Sequence, residues 1–158
     1  MLLGSRSLSQ NVLVVEDNAD DADLLRIAGE AVPEAIAFHV VRAGQQALAY
    51  LQGQGEYADR RAHPFPDLVL LDLGLPDMSG LEVLAWIRQQ PELSHLKVFV
   101  WTDSGDPAAL DRALEAGADR FVPKSLAFVR GGLAGFVRSM SQAILNPDER
   151  GRTSGKPS

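Results

Sequence analysis

Four short apolar runs in this chain each hand over to a residue of a type that handles metals or phosphate. Val12-Leu13-Val14-Val15 delivers Glu16 and Asp17, and Leu68-Val69-Leu70-Leu71 delivers Asp72. Val98-Phe99-Val100-Trp101 delivers Thr102, and Arg120-Phe121-Val122-Pro123 delivers Lys124. Carboxylates brought together without a counterion repel one another, so a hard cation is the expected resident. Mg²⁺ (or Mn²⁺) suits a site of one or two carboxylates, retained waters and a phosphate oxygen. A strand-end carboxylate can also be a nucleophile, taking a phosphoryl group as an acyl phosphate, and Asp72 is the candidate. Phosphoryl transfer needs alignment and charge neutralisation above all. The Thr102 hydroxyl and the Lys124 ammonium would each serve one phosphoryl oxygen.

Something must bring four distant segments to one place. Apolar runs bounded by turn residues read as strands buried on both faces, as in a parallel sheet. They are Asn11 to Val15, Ile36 to Val41 (broken by His39 and read as an edge), the run ending at Leu71, Lys97 to Trp101, and Arg120 to Pro123. Helices alternate with them. Asn18 caps the first, with Asp20 and Asp21 favourable at the positive end of its dipole and an inward stripe of Leu24, Leu25, Ile27, Ala28 and Ala31. A short helix carries Ala47, Leu48 and Leu51. Ser79 and Glu82 form a capping box for the next, and Asp106-Pro107 starts another that Gly117 closes. Ser125 is expected to cap one long last helix with the stripe Leu126, Val129, Leu133, Phe136, Val137, Met140 and Ile144. Gly53 to Pro66 reads as a loop.

Alternating strands and helices call for right-handed crossovers and an α/β, flavodoxin-like doubly wound (βα)5 fold around a five-stranded parallel sheet. Its common order is 2-1-3-4-5, with the switch point between the first and third strands. Asp17 and Asp72 then share the crevice edge with Thr102 and Lys124. The expected organisation is a flexible leader over 1–10, one domain over 11–146 and a flexible tail over 147–158.

Composition excludes several functions. The absence of cysteine removes disulfides, thiol nucleophiles and thiolate metal sites. A net charge of −6 argues against nucleic acid as a partner of the whole surface. No apolar run approaches membrane-span length, and the start Met-Leu-Leu-Gly-Ser-Arg is too short for a secretory signal. A cytoplasmic location is the expectation.

These residues resemble the receiver domain of bacterial two-component response regulators. The resemblance covers roughly residues 11 to 145. It rests on Val12 to Asn18, on Leu71-Asp72-Leu73-Gly74-Leu75-Pro76-Asp77-Met78-Ser79-Gly80, on Thr102, and on Lys124 with Phe121 three residues before it. The resemblance implies that Asp72 accepts phosphate from a histidine kinase. Asp17 and Asp72 would bind the metal, with the Gly74 backbone carbonyl, and Glu16 would act through water. Thr102, Lys124 and Phe121 would sense the phosphoryl group. Gln54-Gly55-Glu56-Tyr57, Val122-Pro123-Lys124-Ser125 and a long last helix are similar to the stand-alone receivers that accompany phytochromes. The kinase partner would then be a phytochrome, and output would run through protein contact, dimer change or phosphate relay. Such proteins catalyse only their own phosphorylation and dephosphorylation.

The chain departs from the family pattern at three places. Ser125 stands where proline usually follows the lysine, Asp103 adds a carboxylate after the threonine, and Phe121 lacks the hydroxyl of the common tyrosine. Asp103 and Ser125 are therefore candidate modulators. A degenerate receiver working as a phosphorylation-independent interaction module is the competing reading. A haloacid-dehalogenase-type phosphatase would need a second acid at position 74, which is glycine, and a flavodoxin-like cofactor binder would need a Ser/Thr/Gly-rich loop where Glu16-Asp17-Asn18 stands.

Other features read as ordinary. His39, His63 and His95 have no ligand spacing, Asp77 and Asp67 read as loop and strand-start solvation, Arg60-Arg61 as surface charge with kinase docking the lesser alternative, and Trp101 as packing. Gly131, Gly132 and Gly135 would each cost a helix interior about 1 kcal/mol relative to alanine. That cost points to close backbone approach or a local break, and a homodimer through the fourth helix, fifth strand and last helix is expected.

Overall fold

A computed structural model describes residues 9–103, 106–129 and 132–146. The strands are β1 (Gln10–Val15), β2 (Ile36–Val41), β3 (Leu68–Leu71), β4 (Lys97–Thr102) and β5 (Arg120–Pro123). The helices are α1 (Ala19–Ala31), α2 (Gly44–Gln52), α3 (Gly80–Gln89), α4 (Pro107–Glu115), α5 (Lys124–Ala127) and α6 (Gly132–Leu145). All strand pairs are parallel, in the order β2-β1-β3-β4-β5, as the alternation of elements predicts. The leader up to residue 8 and the tail from 147 lie outside the described residues, and β1 begins at Gln10, one residue earlier than expected.

The continuous apolar runs follow from burial on both faces. Leu13, Val15, Val69, Leu71 and Val98 face one core with Tyr50, Leu51, Val83, Leu84 and Ile87 of α2 and α3. Val12, Val14, Leu68, Leu70, Phe99 and Trp101 face the other, with Leu25 of α1 and Phe136, Val137 and Met140 of α6. Register then places the site. Val15 pairs with Leu71, so the residues that follow, Glu16 and Asp72, emerge side by side. Leu71 pairs with Val100 and Thr102 with Pro123, which brings Thr102 and Lys124 to the same edge.

Caps appear at α1, where Asn18 Oδ1 accepts from Asp21 N–H at 3.1 Å, and at α4, where Asp106 accepts from Ala108 N–H at 3.0 Å. Ser79 caps α3, but it accepts from Leu81 N–H and not from the Glu82 N–H that a capping box uses.

Several expectations are corrected. The buried face of α1 is Ala22, Leu25 and Gly29, while Leu24 and Ile27 face solvent, Ile27 at 61 % exposure. Hydropathy misses Gly29 as a contact, yet a Cβ there would come within 2.7 Å of the Phe38 ring, so α1 meets β2 through the glycine. β2 runs unbroken through His39, whose ring nitrogen lies 3.0 Å from Asn11 Oδ1. The last helix is two helices. Ser125 sits exposed inside α5, which has no side-chain cap, and Leu126 is 62 % exposed. A Cβ on Gly132 would lie 2.9 Å from the Leu126 carbonyl oxygen and 3.0 Å from that of Ala127. Close backbone approach therefore explains that glycine; Gly135 faces open space and Gly131 lies outside the described residues. Asp67 and Asp77 are structural. Asp67 Oδ2 accepts from Asn11 N–H at 2.8 Å, clipping β3 to β1. Asp77 accepts from Gly44 and Gln45 N–H at 2.8 and 2.9 Å, supplying α2 with the cap that Ala43 cannot.

Candidate functional site

Lys124 is the first residue of α5, directly after β5, and its ammonium lies between three acids. Nζ is 2.7 Å from Asp21 Oδ2, 2.8 Å from Glu16 Oε1 and 3.2 Å from Asp72 Oδ2. It also lies 5.0 Å from the centre of the Trp101 ring, which is buried and stacks on Phe136 with centroids 5.8 Å apart. Trp101 is a packing residue, as expected, and it also walls the lysine.

The acids are held from their own loops. Glu16 Oε2 accepts from Asn18 N–H at 2.9 Å, and Asp72 Oδ1 accepts from Gly74 N–H at 3.1 Å. The loop after β3 folds back on itself: Gly74 bridges to Ser79, and Gly80 N–H donates to the Leu73 carbonyl at 2.9 Å. A Cβ on Gly80 would fall on the Asp72 carbonyl oxygen, so this glycine is needed for the close approach. Asp17 is exposed at the rim, and Arg42 Nη2 donates to its carbonyl at 3.2 Å.

Burial drives the Glu16 carboxyl up to about 7, against the opposing pull of Lys124 and the Asn18 N–H. Burial alone would lower the Lys124 pKa. The Asp21, Glu16 and Asp72 carboxylates outweigh it and hold the ammonium above its ordinary range. Three acids facing one ammonium leave excess negative charge at the sheet edge.

The structure thus brings Glu16, Asp72 and Lys124 into contact and puts Thr102, buried, at the neighbouring strand end. Phe121 is half-buried on β5, while Gly74, Asp103 and Ser125 are exposed. Asp21 joins Lys124 without any announcement in the sequence. Its place in the first turn of α1 reads as a response to the helix dipole, and the only further signal is that this turn opens onto the strand-end acid pair. Also unforeseen is Arg88, which donates to the Gly117 and Leu96 carbonyls and pairs with Asp119 Oδ2 at 3.1 Å, tying α3 to the segment before β5.

A divalent cation fits this donor set. Among the described residues no three acids converge to enclose a metal by themselves. One or two carboxylates with retained waters are what Mg²⁺ accepts, and Asp72 and the exposed Asp17 follow the ends of neighbouring strands.

Residues 12–130 match the model of the response regulator receiver domain. The chain belongs to that family. It is 37 % identical over 117 residues to response regulator Rcp1 of Synechocystis sp. (strain ATCC 27184 / PCC 6803 / Kazusa), covering 72 % of this chain and 76 % of Rcp1. The crystal structure of the phosphorylated cyanobacterial phytochrome response regulator RcpA superposes with a TM-score of 0.75 at 30 % identity, covering 87 % of this chain and 94 % of RcpA. The Mn²⁺-bound form of Rcp1 gives a TM-score of 0.67 at 35 % identity, over 73 % of this chain and 81 % of that structure. The resemblance to phytochrome-associated receivers is borne out. Receiver domains are signalling modules and not metabolic enzymes, so the phosphatase and flavodoxin readings fall away. No described helix of this receiver is long and apolar enough to cross a membrane.

Proposed function

We propose that this receiver takes a phosphoryl group on Asp72 from the phosphohistidine of a histidine kinase, with a phytochrome as the sensory partner. The observation that carries this reading is the meeting of the Asp72 carboxylate and the Lys124 ammonium, 3.2 Å apart, at the carboxyl edge of a parallel sheet. An Asp72 oxygen attacks phosphorus, the P–N bond to the kinase imidazole breaks as the P–O bond forms, and the imidazole nitrogen keeps the electron pair. Lys124 and the Thr102 hydroxyl hold the phosphoryl oxygens, and Gly74 N–H fixes the free rotation of the Asp72 carboxylate. Asp17 and Asp72, with the Gly74 carbonyl and with Glu16 through water, would hold Mg²⁺ or Mn²⁺, which supplies charge neutralisation.

Output is proposed to run through the face of α4, β5 and α6, including a homodimer. Exposed Leu114 on α4, Leu126 on α5, Phe128 and Val129 just after it, and Leu145 on α6 support that reading. Phe121 would respond by ring rotation alone. Asp103 and Ser125, both exposed, are proposed to modulate phosphate lifetime or kinase contact. The phytochrome partner is supported by the similarity to Rcp1 and RcpA.

Incubation with Mg²⁺ and a small acyl-phosphate donor, followed by intact-mass measurement, tests the chemistry. Gain of one base-labile phosphate, lost in Asp72→Asn, is expected. An unmodified mass, or the same gain in the variant, favours the phosphorylation-independent module. Light scattering with and without the donor tests the dimer.

A further inference from the structure

We infer that Asp21 is a positioning residue of the phosphorylation site: it holds Lys124 towards α1 and competes with the phosphoryl group for the ammonium. This rests on the proposed phosphorylation of Asp72.

An ammonium has three donors and no acceptor. In this structure Nζ donates to Asp21 and Asp72 and lies 2.8 Å from Glu16 Oε1, and the shortest contact, 2.7 Å, is to Asp21. The longest, 3.2 Å, is to Asp72, the residue that would carry phosphate. A phosphoryl oxygen that takes a Lys124 proton therefore competes with the carboxylates that surround the ammonium, Asp21 foremost. Both partners are sheltered, with side-chain exposures of 3 % for Lys124 and 17 % for Asp21, so water cannot readily replace either contact. The Asp21 backbone is itself pinned, because its N–H donates to the Asn18 cap. The restraint therefore comes from the start of α1 and not from a loose side chain. Glu16 and Asp72 have other bonds, to Asn18 and Gly74 N–H. For Asp21 the bond to Lys124 is the side-chain role the structure displays.

Neutralising Asp21 removes a rival for the ammonium. It should favour every state in which Lys124 serves a phosphoryl group, and the net contribution of a typical hydrogen bond shifts such an equilibrium by roughly three- to tenfold. Asp20, exposed on the same helical turn, carries the same charge and provides the control.

The test is binding of beryllofluoride, an acyl-phosphate mimic, in the presence of Mg²⁺, followed by NMR, with the Lys124 ammonium ¹⁵N shift recorded in each protein. Asp21→Asn is expected to bind roughly three- to tenfold more tightly than the parent chain, Asp21→Glu to restore the parent affinity, and Asp20→Asn to leave it unchanged. The Lys124 ammonium resonance should move in Asp21→Asn before any mimic is added. Equal affinity of Asp21→Asn and the parent chain, or an equal gain in Asp20→Asn, overturns the inference while leaving phosphorylation of Asp72 intact. Should Asp21→Asn fail to fold, an unchanged affinity and resonance in Asp21→Ser would overturn it equally. Failure of the parent chain to bind the mimic overturns the underlying reading, and this inference with it.

Discussion

Glu16 Oε1 and Lys124 Nζ lie 2.8 Å apart, with only 1 % and 3 % of their side chains exposed. A carboxylate and an ammonium so far from water are worth less as a stabilising pair than as a constraint, because desolvation cancels much of their attraction. Removing one partner is another matter. Lys124→Met would leave Glu16, Asp21 and Asp72 facing one another without an ammonium, at a cost of about 3–5 kcal/mol by the usual penalty for an orphaned buried charge. Urea denaturation measures it. A loss below about 1 kcal/mol, the scale of exposed pairs, would show that the three acids find other relief.

Gly80 and Gly74 frame the Asp72 loop but differ in what surrounds them. A Cβ at Gly80 would meet the Asp72 carbonyl oxygen and come within 2.7 Å of Leu73 Cα, both of them backbone. Gly80→Ala should destabilise by about 1–3 kcal/mol, as overpacking does, and slow labelling of Asp72 by shifting its backbone. Gly74→Ala meets nothing within 4 Å and should retain the parent stability. Thermal melts of the two variants side by side check the contrast.

Asp77 reaches across 33 residues to cap α2 through the Gly44 N–H and across 32 through that of Gln45. The two backbone bonds, Gln45 first, hold its carboxyl below the ordinary range. Asp77→Ala should cost about 1 kcal/mol, as loss of an N-cap generally does. The damage should appear first as faster amide exchange in the opening turn of α2. Unchanged exchange there would deny the cap its role.

His39 is held below its ordinary pKa of 6.5, first by burial and then by the neighbouring charge of His63. Between 6.5 and that lowered value the unfolded chain binds the proton and the folded one does not. Stability should therefore fall as pH drops from 6.5 into this window, and the trend should flatten above it. In His63→Gln the His39 midpoint, followed by NMR, should move back towards 6.5.

The chemistry-bearing positions are legible without coordinates because strand ends are. Continuous apolar runs mean strands buried on both faces, alternation with helices means a parallel sheet, and crossover handedness then dictates which ends share an edge. Those rules bring Glu16, Asp72, Thr102 and Lys124 together before any distance is measured. Local rules fail where a residue has two plausible uses. Asp21 satisfies the helix dipole and Asp77 looks like a solvated loop acid, so nothing local asks what else they touch. The α1 stripe misleads for a related reason: hydropathy favours Leu24 and Ile27, while the contact is made by Gly29 against Phe38.

By itself, then, the sequence determined the sheet, its strand order and the four strand ends that meet, since these depend on periodicity and chain connectivity. Tertiary structure alone decided which carboxylates share the Lys124 ammonium and where the last helix breaks. It also decided that Arg88 would tie α3 to Asp119 and Gly117. Those are contacts between segments far apart in the chain, set by register and by angstrom-scale packing, to which no local pattern is sensitive.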